Sequence, residues 1–202
     1  ILLGLVGSEM CIRDSALRDA GVNSINISLD SLQAERFKAI TRIGDLNTVL
    51  RGIDRAVECG FDRIRLNAVI LDGLNRDEVV PLTHYALEKG IHIAFIEEMP
   101  LGQVNVGGKP LSYVSSDTLQ EELAGHFTLV PMTASDTAGP ARDFLIAGSQ
   151  TQVGFISPHS HNFCAQCNRL RISAEGRLLM CLGNEESIDL RGLLRTGSTD
   201  EE

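Results

Sequence analysis

The sequence predicts an α/β fold that begins with parallel strands and ends in a smaller α+β region. Strand patterns at residues 24–30, 63–71 and 91–96 alternate with helical patterns that end at Gly60 and Gly90. Parallel neighbours need long crossover connections, so helices between successive strands indicate parallel pairing. After residue 99 the composition shifts to Gly, Pro, Ser and Asn, and shorter strand patterns follow.

The helices of the first part are predicted from apolar spacing and end signals. Residues 46–59 place their apolar side chains on one helical face. Asn75 is in a position to cap the following helix. Pro81 lacks a backbone N–H, so we expect that helix to start late or bend.

The second part begins with a long loop at residues 100–116, of the kind that often forms a functional lid. A short helix through residue 124 and a terminal amphipathic helix at residues 187–195 are predicted around a set of short strands. Turn residues such as Gly176 indicate that these strands form hairpins. The strand patterns lie at residues 127–130, 143–147, 152–157, 170–173 and 177–181.

These patterns divide the chain into three segments. Residues 1–15 combine a short apolar run with a stretch similar to translated sequencing-adapter read-through, so we interpret them as foreign to the fold. A native strand and turn is the alternative. Residues 16–102 form the α/β part, and residues 103–202 form the α+β part.

Composition excludes several classes of function. A net charge of −9 and a pI of about 5.0 argue against nucleic-acid binding. No apolar run approaches the ~20 residues that span a bilayer, so no membrane role is expected. Five cysteines, an odd number, argue against a disulfide framework and favour a reducing, cytoplasmic location.

Three of the cysteines form a candidate metal site. Cys164, Cys167 and Cys181 have the spacing C-x2-C-x13-C, and thiolates suit both zinc and iron–sulfur clusters. A structural zinc normally has four protein ligands, and His159 or His161 could supply the fourth. A cubane cluster on three cysteines would keep one iron open to a non-protein ligand. Spacing alone favours zinc slightly and leaves both interpretations open.

Two arginines follow the cysteine motif directly. Alternation along a strand places Arg169 and Arg171 on one face, where two guanidinium groups beside a metal site suit a phosphate or a nucleobase edge. A solvated strand face with surface ion pairs is the alternative. Cys59 lies on an apolar helix face and is predicted to be a core residue.

Several segments resemble one enzyme family. Residues 161–173, which contain the cysteine and arginine motif, are similar to the C-terminal cluster motif of the GTP 3′,8-cyclase family of radical S-adenosylmethionine enzymes. Residues 177–182, 26–32, 95–100 and 139–141 continue the resemblance. It extends from about residue 16 to residue 194, and the cysteine and arginine motif is its most specific part.

The resemblance implies a fold and several roles in the α/β part. The fold would be the C-terminal half of an incomplete (β/α)6 TIM-like barrel with an α+β, cluster-binding extension. Ser28 and Met99 would contact S-adenosylmethionine, although a strand-end cap and a core gap-filler are the simpler interpretations. Arg65 stands where the family usually has a GTP-binding Lys; the alternative is an exposed strand charge.

The resemblance also implies the roles of the α+β part. Cys164, Cys167 and Cys181 would hold a 4Fe-4S cluster with one open iron that binds the purine of GTP. Arg169, Leu170 and Arg171 would bind GTP.

The partners follow from the same family. The family implies GTP, S-adenosylmethionine, an electron donor and the next enzyme of the pathway (cyclic pyranopterin monophosphate synthase). A second copy of the chain, as a homodimer, is a further candidate partner.

The sequence departs from the family pattern in three respects. It contains no C-x3-C-x2-C motif for the second cluster that activates S-adenosylmethionine, it has Ala94 where an Arg is frequent, and it stops before a glycine-rich tail. We therefore expect the 202 residues alone to be inactive. Another radical enzyme with an auxiliary cluster and a non-catalytic zinc-binding module are the alternatives.

Overall fold

The computed structural model of the chain describes residues 17–99, 105–106, 109–110, 112–133, 140–161, 170–180 and 186–196. Proximity of Cα atoms groups the chain into two compact units. The first comprises Ile1–Glu98 and Gln103–Asn162, and the second comprises Met99–Gly102 and Phe163–Glu202. The segment boundaries inferred from the sequence, at residues 15 and 102, stay predictions.

Short strands outnumber helices in the described residues. The helices are α1 (Ala34–Thr41), α2 (Leu46–Glu58), α3 (Val79–Lys89), α4 (Ser116–Ala124) and α5 (Leu190–Thr196). The strands are β1 (Ser24–Ser28), β2 (Arg63–Asp72), β3 (His92–Glu97), β4 (Asn105–Val106), β5 (Lys109–Pro110), β6 (Ser112–Tyr113), β7 (Leu129–Pro131), β8 (Ala141–Ile146), β9 (Gln152–Ile156), β10 (Arg171–Ile172), β11 (Arg177–Leu179) and β12 (Ser187–Asp189).

The first unit contains a seven-stranded sheet with the order β1-β2-β3-β9-β8-β7, and β6 pairs with the end of β2. Strands β1, β2, β3 and β9 are parallel, whereas β8 and β7 are antiparallel to their neighbours. The mixed α/β class and the parallel pairing of β1 to β3 are therefore confirmed. Strand β9 belongs to the predicted hairpin with β8 but also pairs with β3, so the sheet continues past the predicted boundary at residue 102.

The helices begin and end close to the predicted positions. Asp45 caps α2, because its carboxylate accepts a hydrogen bond of 2.7 Å from Thr48 N. A 3-10 turn at Arg76–Glu78 precedes α3, so that Pro81 lies in the first turn of the helix, where a proline is tolerated. Gly90 ends α3 with φ of 66°, a left-handed conformation that glycine adopts without strain.

The helices cover one face of the sheet and form the core with it. Leu66, Ile93 and Phe155 point to this face and are fully buried against α2, α3 and α4. Each such side chain contributes about 1.5–3 kcal/mol when it leaves water. Because side chains alternate along a strand, the residues between them point to the opposite face, which carries the candidate site.

The second unit contains an antiparallel sheet with the order β10-β11-β12. The predicted hairpin between β10 and β11 is confirmed, and Gly176 in its turn has φ of 78°. The predicted helix at residues 187–195 is wrong at its start, because Ser187–Asp189 is a strand and the helix begins at Leu190. Arg177 Nε donates to Ser187 Oγ over 2.8 Å, a bond that holds this third strand. Among the described residues, no helix has the length and apolarity that crossing a membrane requires.

Candidate functional site

Arg65 lies in β2, on the sheet face opposite the helices. Only 8% of the residue is exposed, and its Nη2 donates a hydrogen bond to Asp143 Oδ1 on β8. The alternative that Arg65 is an exposed strand charge is therefore wrong. Strands β3, β9 and β8 extend the sheet beyond β2 and bring the half-buried carboxylate of Asp143 to the guanidinium group.

Two small residues lie between the partners of this ion pair. Ala94 pairs with Asn67 of β2 and with Gly154 of β9, and Gly154 pairs with Asp143. The Arg65 side chain thus crosses β3 and meets the Asp143 side chain, which comes from β8, above Gly154 of β9. A Cβ atom at Gly154 would clash with Asp143 Oδ1 and would lie 3.4 Å from Arg65 Nη2. Because Ala94 and Gly154 have no side chain beyond a methyl group, neither projects from the sheet between Arg65 and Asp143 to keep them apart.

Arg63 and His92 complete the surroundings of Asp143. Arg63 Nη2 lies 3.9 Å from Asp143 Oδ2, so one carboxylate stands between two guanidinium groups. Burial, followed by the charges of Arg63 and Arg65, lowers the pKa of His92 to about 4. The imidazole is neutral at pH 7, and the group of two arginines and one aspartate carries one net positive charge. Arg63 was not among the site residues predicted from the sequence, although alternation along the strand places it on the same face as Arg65.

The Arg65 guanidinium retains unused hydrogen-bonding capacity. Its Nε is buried and has no hydrogen-bond partner among the described residues. Burial lowers the pKa of Arg65, and the nearby Asp143 opposes that effect. A buried donor without a partner costs about 1–3 kcal/mol, so an acceptor oxygen from a ligand would be stabilised here.

Ser28 is the last residue of β1 and is exposed at the carboxyl end of the strand. Two residues farther on, Asp30 Oδ1 accepts a hydrogen bond of 2.8 Å from Val69 N, where backbone pairing has ended. Burial raises the pKa of Asp30, and the bond from Val69 opposes this. The side chain of Asp30 thus continues the attachment of β1 to β2 beyond Ser28.

Asn75 fixes the same two strand ends, and the prediction that it caps a helix is wrong. Its Nδ2 donates to the carbonyl oxygens of Asp30 and Val69 over 2.8 and 2.9 Å, and its Oδ1 accepts from Leu71 N. The amide is therefore fully used by the backbone of β2 and of the loop that follows β1, and the side chain does not cap the 3-10 turn.

A buried carboxylate holds the loop after Ser28. Glu78 is 2% exposed and accepts hydrogen bonds of 2.6 Å from Ser31 Oγ, Leu32 N and Arg36 Nη1. Because one of these donors is charged and the carboxylate is dry, the arrangement is rigid. Asn75 and Glu78 together make the carboxyl end of β1 a preorganised position.

Glu97 plays a similar part at the end of β3. It is 1% exposed, and its two oxygens accept from Ser116 N (2.7 Å), His159 N (2.9 Å), Ser160 N (3.1 Å) and Ser160 Oγ. Burial acts to raise the pKa of Glu97, but these hydrogen bonds outweigh it and the pKa is lowered. Glu97 therefore joins β3, the start of α4 and the turn that precedes the cysteine motif.

Both histidines of this turn have a hydrogen-bond partner at Nε2. His159 Nε2 is 2.8 Å from the carbonyl oxygen of Glu98, and the ring stacks on Tyr113. His161 Nε2 lies 2.7 Å from Asp117 Oδ1. Either histidine could still offer Nδ1 to a zinc ion, so the zinc interpretation of the cysteine motif stays open.

The remaining predicted site residues belong to the second unit or lie outside the described residues. Met99 is half-buried and follows the end of β3 by two residues, whereas Leu170 and Arg171 are exposed at the start of β10. Among the described residues, no group of three or more His, Cys, Asp or Glu could hold a metal ion. Cys164, Cys167, Cys181 and Arg169 lie outside the described residues.

Cys59 is half-buried and packs against the hydrophobic core, as predicted. It lies at the end of α2, in the first unit. It is not part of the cysteine motif.

Comparison with curated proteins gives close relatives. The chain is 50% identical over 189 residues to GTP 3′,8-cyclase of Saccharophagus degradans and covers 57% of that protein. It is 54% identical over 190 residues to GTP 3′,8-cyclase of Pseudomonas entomophila, and 53% over 197 residues to that of Pseudomonas putida strain W619. These matches include 94–97% of the chain. The chain spans just over half the length of these relatives.

Solved structures support the fold. The chain superposes on Streptococcus suis SuiB bound to S-adenosylmethionine with a TM-score of 0.55, covering 88% of this chain and 42% of SuiB. The sequence identity is 13%, so this likeness concerns the fold alone.

Two family models match successive parts of the sequence. Residues 15–86 match the model described as Radical SAM superfamily. Residues 91–202, more than half of the chain, match the model described as Molybdenum Cofactor Synthesis C. The chain therefore belongs to the Molybdenum Cofactor Synthesis C family.

Proposed function

We propose that the chain is part of a GTP 3′,8-cyclase, the radical enzyme that converts GTP to 3′,8-cyclo-7,8-dihydro-GTP in the first step of molybdopterin synthesis. The observation that carries this proposal is the identity of 50–54% to three proteins of that name, over nearly the whole chain. The chain would supply the C-terminal half of a partial (β/α)6 barrel and the extension that follows it.

GTP would meet Arg65 on the open face of the sheet. Its buried Nε, which has no hydrogen-bond partner in the part of the chain that the structure describes, offers a donor to a phosphate oxygen. The net positive charge of Arg63, Arg65 and Asp143 favours an anionic ligand, although the protein as a whole is acidic.

S-adenosylmethionine would contact Ser28 and Met99. Ser28 is exposed at the end of β1, and Asn75 and Glu78 hold the adjoining loop through buried hydrogen bonds. Preorganised support of this kind is what a cofactor-binding hydroxyl requires.

Cys164, Cys167 and Cys181 would hold a 4Fe-4S cluster, and Arg169, Leu170 and Arg171 would orient GTP beside it. Three thiolates are a suitable donor set for such a cluster. When bound, this cluster would supply an open iron for the purine. A second cluster, which activates S-adenosylmethionine, would be held by the part of the relatives that the chain does not cover.

The family also suggests the biological setting. We propose an electron donor and cyclic pyranopterin monophosphate synthase as partners, a homodimer as a possible assembly, and a cytoplasmic location.

Anaerobic reconstitution of the chain with iron and sulfide tests the metal assignment. We expect a brown protein with visible absorbance, and a change in its electron paramagnetic resonance spectrum when GTP is added. Replacing Cys164, Cys167 or Cys181 by Ala should remove the colour. Cys59→Ala is the matched control and should keep the colour, since Cys59 packs against the core. A colourless protein that binds one zinc would contradict the assignment.

Turnover requires the remainder of the enzyme. We expect the chain to be inactive alone and active when fused to the part of the Saccharophagus degradans relative that it does not cover, hereafter the completed protein. Complementation of a strain that lacks molybdenum cofactor measures the activity of the chain alone and of the completed protein. Growth with the chain alone would show that the missing part is unnecessary and would refute this division of labour.

A further inference from the structure

We propose that Arg63 and Arg65 together bind the triphosphate of the nucleotide, and that Asp143 is a resident counter-ion with which the triphosphate competes for both guanidinium groups. The inference rests on the proposed function, in which Arg65 donates to a phosphate oxygen and Arg63 contributes only to the local positive charge. It adds a second arginine and identifies an acidic residue that limits affinity.

The arrangement of charges is the first argument. Asp143 presents one carboxylate oxygen to Arg65 and the other to Arg63, at 3.9 Å. A carboxylate held between two guanidinium groups has the geometry that a phosphate group would adopt with the same arginines. The side chain of Asp143 is 19% exposed, so solvent or a ligand can reach this position.

One unused donor on Arg65 is the second argument. Arg65 is more than nine-tenths buried, and its Nε has no partner among the described residues. Asp143 therefore satisfies the guanidinium group only in part. A polyanion with several oxygens could satisfy both Nε and the groups that Asp143 now occupies.

Space on the sheet surface is the third argument. Ala94 and Gly154 lie between Arg65 and Asp143, and neither has a side chain longer than a methyl group. The surface between the charged groups is thus free of bulky side chains. His92 stays neutral because its pKa is lowered to about 4, so the two arginines supply the positive charge at this end of the sheet.

Calorimetric titration with inorganic tripolyphosphate tests the inference on the completed protein. Asp143→Asn removes the competing charge but keeps the shape, and we expect a Kd about tenfold lower, as for loss of one charge a few ångströms from a ligand in a partly solvated site. Asp62→Asn is the matched control. It removes the same charge from an exposed pair with Arg18 (3.1 Å), and we expect no change in Kd.

If the inference is right, the tighter binding of tripolyphosphate by Asp143→Asn depends on the two arginines. In an Arg65→Gln background, Asp143→Asn should no longer tighten binding. Arg63→Gln alone should weaken binding several-fold, and its half-exposed side chain makes this variant safe for folding even if Asp143→Asn is not. Unchanged binding in Arg63→Gln, or equal tightening by Asp143→Asn with and without Arg65, would overturn the inference.

Turnover of GTP separates this inference from the proposed function. If the completed protein converts GTP but Asp143→Asn leaves the KM unchanged, the inference fails and the function stands. If tripolyphosphate binding responds as expected while GTP is never converted, the function fails and the anion site stands.

Discussion

Replacing Glu97 by Gln should destabilise the first unit, and the size of the effect can be worked out from its hydrogen bonds. One carboxylate oxygen accepts from Ser116 N and Ser160 Oγ, and the other accepts from His159 N and Ser160 N. A glutamine offers one acceptor oxygen and one NH2 group, so one pair of donors loses its acceptor. The NH2 group should face Ser116 N and Ser160 Oγ, because the hydroxyl can rotate and accept.

This orientation leaves one buried N–H without a partner and weakens the others by removing the charge. An orphaned buried donor costs about 1–3 kcal/mol, and hydrogen bonds to a charged acceptor contribute about 1.5–3 kcal/mol each. We therefore expect Glu97→Gln to lower the free energy of unfolding by about 2–4 kcal/mol.

Urea denaturation of the completed protein, followed by circular dichroism, measures this loss. Glu121→Gln is the control: it removes the same charge from an exposed position on α4 and should shift stability by less than about 0.5 kcal/mol. The pH dependence gives a second measure. Because the pKa of Glu97 is lowered from 4.5, its contribution is complete above that pH and is lost as pH falls through the folded-state pKa. Equal stability of Glu97→Gln and the parent protein at pH 7 would refute this account.

Three further predictions concern other buried groups. Gly154→Ala should cost about 1–3 kcal/mol in urea denaturation, because its Cβ would displace Asp143 from Arg65; an unchanged midpoint would argue against the close contact. Tyr85→Phe should be neutral or stabilising by up to about 1 kcal/mol, since the Tyr85 hydroxyl is buried without a partner among the described residues. A lower free energy of unfolding in the same assay would show that the hydroxyl does make a hydrogen bond. His92 has a folded-state pKa of about 4 against 6.5 when unfolded, so stability should fall as pH drops from 6.5 to 4. His92→Gln should flatten that slope, and an unchanged slope would assign it to other groups.

The sequence predicted the elements of the first unit well and their long-range contacts poorly. Residues 46–59 and the strand patterns before Met99 are local signals, set by apolar spacing and by Gly60 and Gly90, and the structure confirms them. The pairing of β9 with β3 was missed, because the residues of β9 equally suit a hairpin strand. Whether β9 pairs in parallel with β3 depends on β3 having a free edge when β9 reaches the sheet, and no local sequence pattern encodes that.

In the candidate site, too, local features were predicted and long-range contacts were not. Arg65 was identified from a resemblance, but its burial and its partner Asp143 depend on the order of strands across the sheet. Asn is a residue type that commonly caps helices. The sequence does not show that Asp30 and Val69 lie close enough for the Asn75 amide to bind their carbonyl oxygens instead. Glu97 gave no sequence signal for its buried network, since its donors come from residues 116 and 159–160. The cysteine motif was the strongest local signal and lies outside the described residues.

The parallel pairing of β3 with β9 has a consequence for synthesis on the ribosome. Ile93 pairs with Val153, and α4 with the hairpin strands β7 and β8 must be translated in between. During that interval one side of β3 has no partner, which exposes backbone groups to chance pairing with other nascent chains. Arg65 is translated well before β9 can pair with β3. Asp143 and Gly154 are translated much later and can join Arg65 only when β8 and β9 have been added to the sheet. The charged group is thus completed at the end of sheet assembly, and a ribosome that stalls within β8 would release a product whose sheet ends at β3.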